Sequence, residues 1–410
     1  MPKDPIIKKS ASIPTFLVSN GVSFLGLSLC KNLLEKGARV VVLATVTDEV
    51  REKVRPLLVN PNFALFNSDP EKGIPEKIQS VDYIFQMMYP DTFDSSENVN
   101  LVAQAFGTKT LLDLAVASDA KFALIEPLFS YDRAQEEMVT YSYDKNSEFL
   151  RSLVWDYVQK KKLDGRVVRV GPVYGPGMPL ESAEGLGGLI NSVLESVPLK
   201  VYGDGVEKIP YLYISDAVDG LIKALFYKKT SGRVFKLLGE ALHAELELAF
   251  VLRSMANSDL KIVYVDKSKD YSLVLDTVTG EQIPRWSPEV NLKAGLKETL
   301  EGFGYRTNLH SFKPAQMIEK KLMEKPEKVE SPVKVVSLND TEVIRKSPKL
   351  RLSIKSILPK ISLLKLPKMP ILKVPSLKWP SKKNVELFSI SSVKRSNPKK
   401  LVFLGILVAL

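Results

Sequence analysis

The stretch Thr15-Phe-Leu-Val-Ser-Asn-Gly-Val-Ser-Phe-Leu-Gly-Leu-Ser-Leu-Cys30 decides the fold, because its apolar period changes once, at a turn. Thr15 to Ser19 reads as a short apolar strand. A turn of small residues follows, and from Phe24 to Lys36 the apolar residues recur at helical spacing until Gly37 closes the helix. Arg39 to Leu43 is almost wholly apolar and β-branched, as suits a parallel strand buried on both faces. Outward from this unit the alternation repeats. Strands are predicted near Ala64 to Phe66, Tyr83 to Gln86, Phe122 to Glu126 and Val167 to Val170, separated by helices such as Asn98 to Ala117 and Ser147 to Lys161. Repeated βα alternation predicts an α/β fold with a doubly wound parallel sheet over residues 12–170.

From Gly171 to about Tyr305 the pattern turns irregular, with Pro and Gly turns between short elements. A smaller mixed part, 171–305, is therefore expected to cover the carboxyl ends of the strands and form the substrate pocket. Residues 306–348 mix Lys, Glu and Pro and read as a solvated linker. Residues 349–400 punctuate apolar residues with Lys and Pro, as in Leu366-Pro-Lys368 and Leu377-Lys-Trp-Pro380, and predict an extended basic tail because prolines at this density forbid a continuous helix. Leu401 to Leu410 is wholly apolar. Ten helical residues span only about 15 Å of the roughly 30 Å hydrocarbon core, so this segment is expected to be the start of a transmembrane helix.

Charge is unevenly placed along the 410 residues. Residues 341–410 hold 16 Lys and Arg against 2 Asp and Glu, whereas residues 1–340 hold 42 against 45. The basic balance belongs to the tail, which points to an anionic membrane surface and not to nucleic acid. Arg395, Lys399 and Lys400 precede the apolar end, and the positive-inside tendency then keeps the chain cytoplasmic, on the inner face of the cell membrane. A single cysteine, Cys30, excludes an internal disulfide and a cysteine metal cluster, and is expected to be inert core. With only His243 and His310, no metal site and no Ser-His-Asp triad is expected.

Two motifs carry chemistry, and three further segments follow them. Asn20, Gly21, Ser23, Phe24, Leu25 and Gly26 form a strand-to-helix turn where backbone N–H groups can approach a pyrophosphate. Tyr141 and Lys145 stand four residues apart, which places both on one helix face, the lysine able to lower the phenol's pKa. Tyr157 with Lys161 is a second match to that spacing, but Tyr141 opens the long helix that leads to Arg169-Val-Gly-Pro-Val-Tyr-Gly-Pro-Gly177. Further on come Pro198-Leu-Lys-Val-Tyr-Gly-Asp-Gly205 and Tyr211-Leu-Tyr-Ile-Ser-Asp-Ala-Val-Asp-Gly-Leu-Ile-Lys-Ala-Leu225.

Together these motifs make residues 12–305 resemble the extended short-chain dehydrogenase/reductases, the NAD-dependent epimerase/dehydratase family with its Rossmann sheet. The wording is closest to UDP-glucuronate decarboxylases. The resemblance implies a nucleotide-sugar substrate, a nicotinamide cofactor, Tyr141 as general acid/base, Lys145 on the nicotinamide ribose, and a homodimer. It also exposes departures. In the family's Gly-x-x-Gly-x-x-Gly loop the glycines fall on Asn20, Ser23 and Gly26, so only the third is kept. The ribose-binding acid after the second strand is missing from Ala44-Thr45, which leaves Thr45, Thr47 or Arg51 to meet a 2′-phosphate or to cap the next helix. If Tyr131 is the family's Tyr after the fifth strand, the catalytic Ser or Thr falls on Pro127; Pro172 replaces the Asn before Val-Tyr-Gly, and Ile209 the phosphate-clasping Arg. Glu126, Ser130 and Ser142 are the substitutes at hand for the missing hydroxyl.

Two functions follow. One is an NAD(P)-dependent nucleotide-sugar epimerase, dehydratase or decarboxylase working by hydride transfer, with NAD or NADP held weakly. The other is a non-catalytic Rossmann binding or scaffold module, cofactor lost, tethered to a membrane.

Overall fold

The computed structural model describes residue 7 and residues 13–68, 73–89, 101–132, 137–180, 185–256, 259–266, 272–275 and 280–307. The tail from residue 308, with its basic repeats and apolar end, lies outside the described residues, as does His310.

In chain order the first elements are β1 (Thr15–Ser19), α1 (Phe24–Glu35), β2 (Arg39–Ala44), α2 (Asp48–Leu58), β3 (Phe63–Asn67), β4 (Tyr83–Met87), α3 (Leu101–Ser118), β5 (Lys121–Pro127), β6 (Phe129–Asp132), α4 (Glu137–Lys161) and β7 (Gly165–Val170). Then come β8 (Val173–Tyr174), α5 (Gly185–Leu194), β9 (Leu199–Tyr202), β10 (Lys208–Ile209), β11 (Leu212–Tyr213), α6 (Ile214–Phe226), β12 (Val234–Leu237), β13 (His243–Ala244), α7 (Glu245–Met255), β14 (Ile262–Val265), β15 (Ser272–Leu275), β16 (Glu281–Gln282) and α8 (Leu292–Gly302).

The main sheet runs β16-β12-β7-β5-β4-β1-β2-β3, and every neighbouring pair is parallel. The chain builds outward from β1 to β3, then returns to β1's other side with β4. In doubly wound folds such a reversal, here at the carboxyl ends of β1 and β4, marks the crevice where nucleotides bind. β12 and β16 come from beyond residue 170, so the irregular part of the sequence completes the sheet as well as covering it.

Period-two alternation divides the apolar residues between two faces. Phe16, Val18, Val40, Val42 and Phe85 pack with Leu25, Leu29, Leu221 and Leu225 from α1 and α6. Leu17, Val41, Ile84, Phe122 and Leu124 pack on the other face with Leu112, Leu150 and Val154 from α3 and α4. Each buried Leu contributes about 2 kcal/mol of transfer free energy, and this double burial explains the unbroken apolar run of β2. Cys30 sits inside the first layer, fully buried, and burial pushes its thiol well above the usual range, so it is inert. Among the described residues no helix is long and apolar enough to cross a membrane, and no cluster of His, Cys, Asp and Glu could hold a metal ion.

Candidate functional site

The turn between β1 and α1 keeps the backbone of a nucleotide loop despite its substitutions. Asn20 adopts φ 53°, the left-handed conformation that asparagine tolerates, and its N–H donates to the Leu43 carbonyl at 2.7 Å. Gly21 is packed so closely that a Cβ would come within 3.0 Å of the Val18 and Val42 side chains. At Gly26 a Cβ would stand 2.9 Å from the Gly21 Cα and 3.0 Å from the Asn20 carbonyl oxygen, so the third glycine is required by the approach of helix to turn. Phe24 and Leu25 are buried and anchor the first turn of α1. Ser23 differs in kind. It is the N-cap of α1, and its Oγ accepts from the Gly26 N–H at 3.2 Å. One of the helix donors a phosphate would use is thereby already satisfied within the chain.

At the end of β2 the place of the ribose acid is taken by buried Ala44 and exposed Thr45. Thr47 caps α2 by accepting from the Val50 N–H at 3.2 Å, and Asn67 Oδ1 accepts from the Val46 N–H at 2.9 Å. Thr47 thus serves the helix, as the capping alternative has it.

Tyr141 and Lys145 both lie on α4, which begins ten residues earlier than its apolar pattern predicts, at Glu137. Their side chains, with those of Ser130, Tyr131 and Ser142, lie outside the described ones. The rival spacing match is structural: the Tyr157 hydroxyl donates to Asp113 Oδ1 at 2.6 Å, tying α4 to α3, and burial followed by this bond pushes its pKa up to about 12.

The last residues of β5, Ile125, Glu126 and Pro127, include no hydroxyl side chain. Glu126 is buried between two guanidinium groups, Arg151 of α4 at 2.6 Å and Arg169 of β7 at 2.9 Å. Burial outweighs both arginines and raises its carboxyl above the usual range. Glu126 is committed to this ion cluster and does not stand in for the missing Ser or Thr; Pro127, the last residue of β5, has no side-chain donor.

Sequence reasoning missed Tyr89. Two residues beyond β4, its hydroxyl donates to the Gly171 carbonyl at 2.9 Å and accepts from the Val173 N–H at 3.1 Å, while its ring meets Phe129 edge-on at 5.9 Å. The available signal was a bulky aromatic, in Met87-Met88-Tyr89, immediately past a strand that borders the crevice.

The downstream motifs shape turns. Gly175 (φ 155°) stands where a Cβ would lie 2.4 Å from Ile214 Cγ2, and Gly205 (φ 66°) where one would lie 2.4 Å from Val201 Cγ1. Asp216 is buried and its Oδ2 accepts from the Val290 N–H at 3.0 Å. Ile209 sits in the two-residue strand β10, paired with His243 of β13.

The family model described as the NAD dependent epimerase/dehydratase family matches residues 17–237. The chain belongs to that family. UDP-glucuronic acid decarboxylase 4 of Arabidopsis thaliana is 25% identical over 305 residues, covering 71% of this chain and 68% of that protein. UDP-glucuronic acid 4-epimerase from Bacillus cereus, solved with UDP-glucuronic acid and NAD, superposes with a TM-score of 0.56 at 20% identity over 71% of this chain and 99% of that one. dTDP-glucose 4,6-dehydratase from Bacillus anthracis, solved with NAD, gives 0.55 at 19% over 71% and 96%. The fold and the extended short-chain dehydrogenase/reductase resemblance are thereby shown.

Proposed function

We propose that this chain binds a nucleotide-linked sugar and performs no hydride transfer on it. One observation carries the reading. Where the family's chemistry needs a hydroxyl beside the Tyr141–Lys145 pair, the end of β5 offers Pro127, and its neighbour Glu126 is held by Arg151 and Arg169. Neither Pro127, which has no side-chain donor, nor Glu126, which is held by two arginines, is free to hydrogen-bond the sugar oxygen as charge develops on it. The ligand class is supported by the named substrates of the relatives.

The adenosine side of the crevice fits a nicotinamide dinucleotide in backbone shape, since Asn20, Gly21 and Gly26 keep the close approach. Ser23 and Ala44 remove contacts, so NAD or NADP is held weakly or not at all. On the other side of the switch point Tyr89 and Phe129, each two residues past the end of its strand, meet edge-on.

A second copy of the chain is the proposed partner for Val102, Phe106 and Val116 of α3 and Phe149 of α4, which expose apolar surface on neighbouring helices. The basic tail, with the apolar segment Leu401 to Leu410, is proposed to hold the domain at an anionic membrane surface on the cytoplasmic side.

The test is incubation of the full chain with UDP-glucuronic acid and NAD, with nucleotide-sugar products resolved by chromatography and sugar binding measured by titration calorimetry. Binding without product supports the reading. Product that disappears in Tyr141→Phe and persists in Tyr157→Phe restores the hydride-transfer alternative.

A further inference from the structure

In a doubly wound sheet a dinucleotide lies across the switch point, one nucleotide on each half. Here the half built on β1, β2 and β3 carries the Asn20–Gly26 turn. The second nucleotide therefore falls to the carboxyl ends of β4, β5 and β7. Tyr89 leaves the end of β4, and its hydroxyl reaches the chain just past β7, at Gly171 and Val173. β5 lies between those strands, so the ring crosses over its end, where Phe129 packs against it. Only 6% of Tyr89 is exposed. A flat ring whose polar end donates to a carbonyl and accepts from an amide offers the same hydrogen-bonding chemistry as a carboxamide on a pyridine ring.

We infer that Tyr89 closes the nicotinamide half of the crevice, so that the chain takes a dinucleotide only by its adenosine-diphosphate end. Tyr89 is thus the residue that sets what the crevice admits. To seat a nicotinamide, the ring must leave, breaking two buried hydrogen bonds, a penalty of roughly tenfold or more in affinity. The inference rests on the binding function proposed above and adds the ligand half that the site discriminates.

The test compares NAD with ADP-ribose, which lacks only the nicotinamide, by titration calorimetry on the full chain. The expected result is ADP-ribose binding with NAD no tighter. Tyr89→Ala should then raise NAD affinity about tenfold and leave that for ADP-ribose within about twofold, whereas Tyr89→Phe, which keeps the ring but loses the two bonds that hold it, should raise NAD affinity by a smaller factor than Tyr89→Ala. Wild-type chain that binds NAD about tenfold tighter than ADP-ribose, or that binds no ADP-ribose, overturns the inference. So does an unchanged ratio in folded Tyr89→Ala. The wild-type ratio decides by itself if that variant does not fold. Tight NAD binding without sugar turnover sinks this inference and the weak hold on NAD but leaves the sugar-binding function standing; turnover sinks that function as well.

Discussion

Replacing Glu126 by Ala tests whether the carboxylate at the end of β5 is a structural ion or a reacting group. The side chain is 2% exposed, between Arg169 at 9% and Arg151 at 22%. Removing it takes the carboxylate from a guanidinium that has little access to water. Breaking one partner of a buried ion pair costs about 3–5 kcal/mol. Because Arg151 can turn outward to solvent, the lower bound applies, about 3 kcal/mol. In a domain of this size a kcal/mol shifts the melting temperature by roughly 2 °C, so a loss of about 6 °C is expected. Adding Arg169→Leu should recover part of it, since an apolar pair in place of a buried ion pair is near neutral. The pH dependence has a definite sign. With its folded pKa raised above the unfolded value, Glu126 contributes stability that is present below about pH 4.3 and lost as pH rises through the folded value. The advantage of wild type over Glu126→Gln should therefore shrink from acid to neutral pH. Calorimetric unfolding of Glu126→Ala within about 0.5 kcal/mol of wild type, or a double variant no more stable than the single one, would refute the structural role.

Other consequences follow from single side chains. Ser23→Gly frees the Gly26 N–H at a stability cost of a few tenths of a kcal/mol, and titration should show ADP-ribose bound more tightly; unchanged affinity would mean that the self-cap is not what weakens the site. Tyr157→Phe removes the bond to Asp113 and should cost about 1 kcal/mol in denaturant unfolding without altering nucleotide affinity. Since the Tyr157 pKa is raised to about 12, its contribution is present below about pH 10 and lost on rising through about 12, so the variant should show a shallower alkaline loss of stability. Flotation of the full chain with anionic vesicles should fall when residues 349–410 are removed; retention of the wild type in the soluble fraction at low salt would end the surface-binding proposal.

Local chemistry made the sheet readable. β2 announces itself as Arg39-Val-Val-Val-Leu43 because a strand covered on both faces is favoured by an almost wholly apolar run, and α1 is bounded by Ser23 and Gly37, whose preferences act within one turn. Asn20, Ser23, Ala44 and Pro127 could be set against a family pattern from sequence order alone, and the substitutions at the site were visible as letters. What those letters do was decided elsewhere. Glu126 reads equally as a spare catalytic acid until Arg151 and Arg169, 25 and 43 residues away, are brought to it across helix and strand. α4 begins at Glu137, ahead of its apolar pattern. Tyr89 carried no motif at all. Its partners, Gly171 and Val173, lie more than eighty residues on, and only the parallel order β4-β5-β7 puts them within reach of one hydroxyl. Sequence alone determined the first alternating strands and helices and the family pattern they follow, since those depend on short-range periodicity; the tertiary fold decided how residues 171–305 complete the sheet and which side chains meet at its end, because that depends on residues distant in the chain.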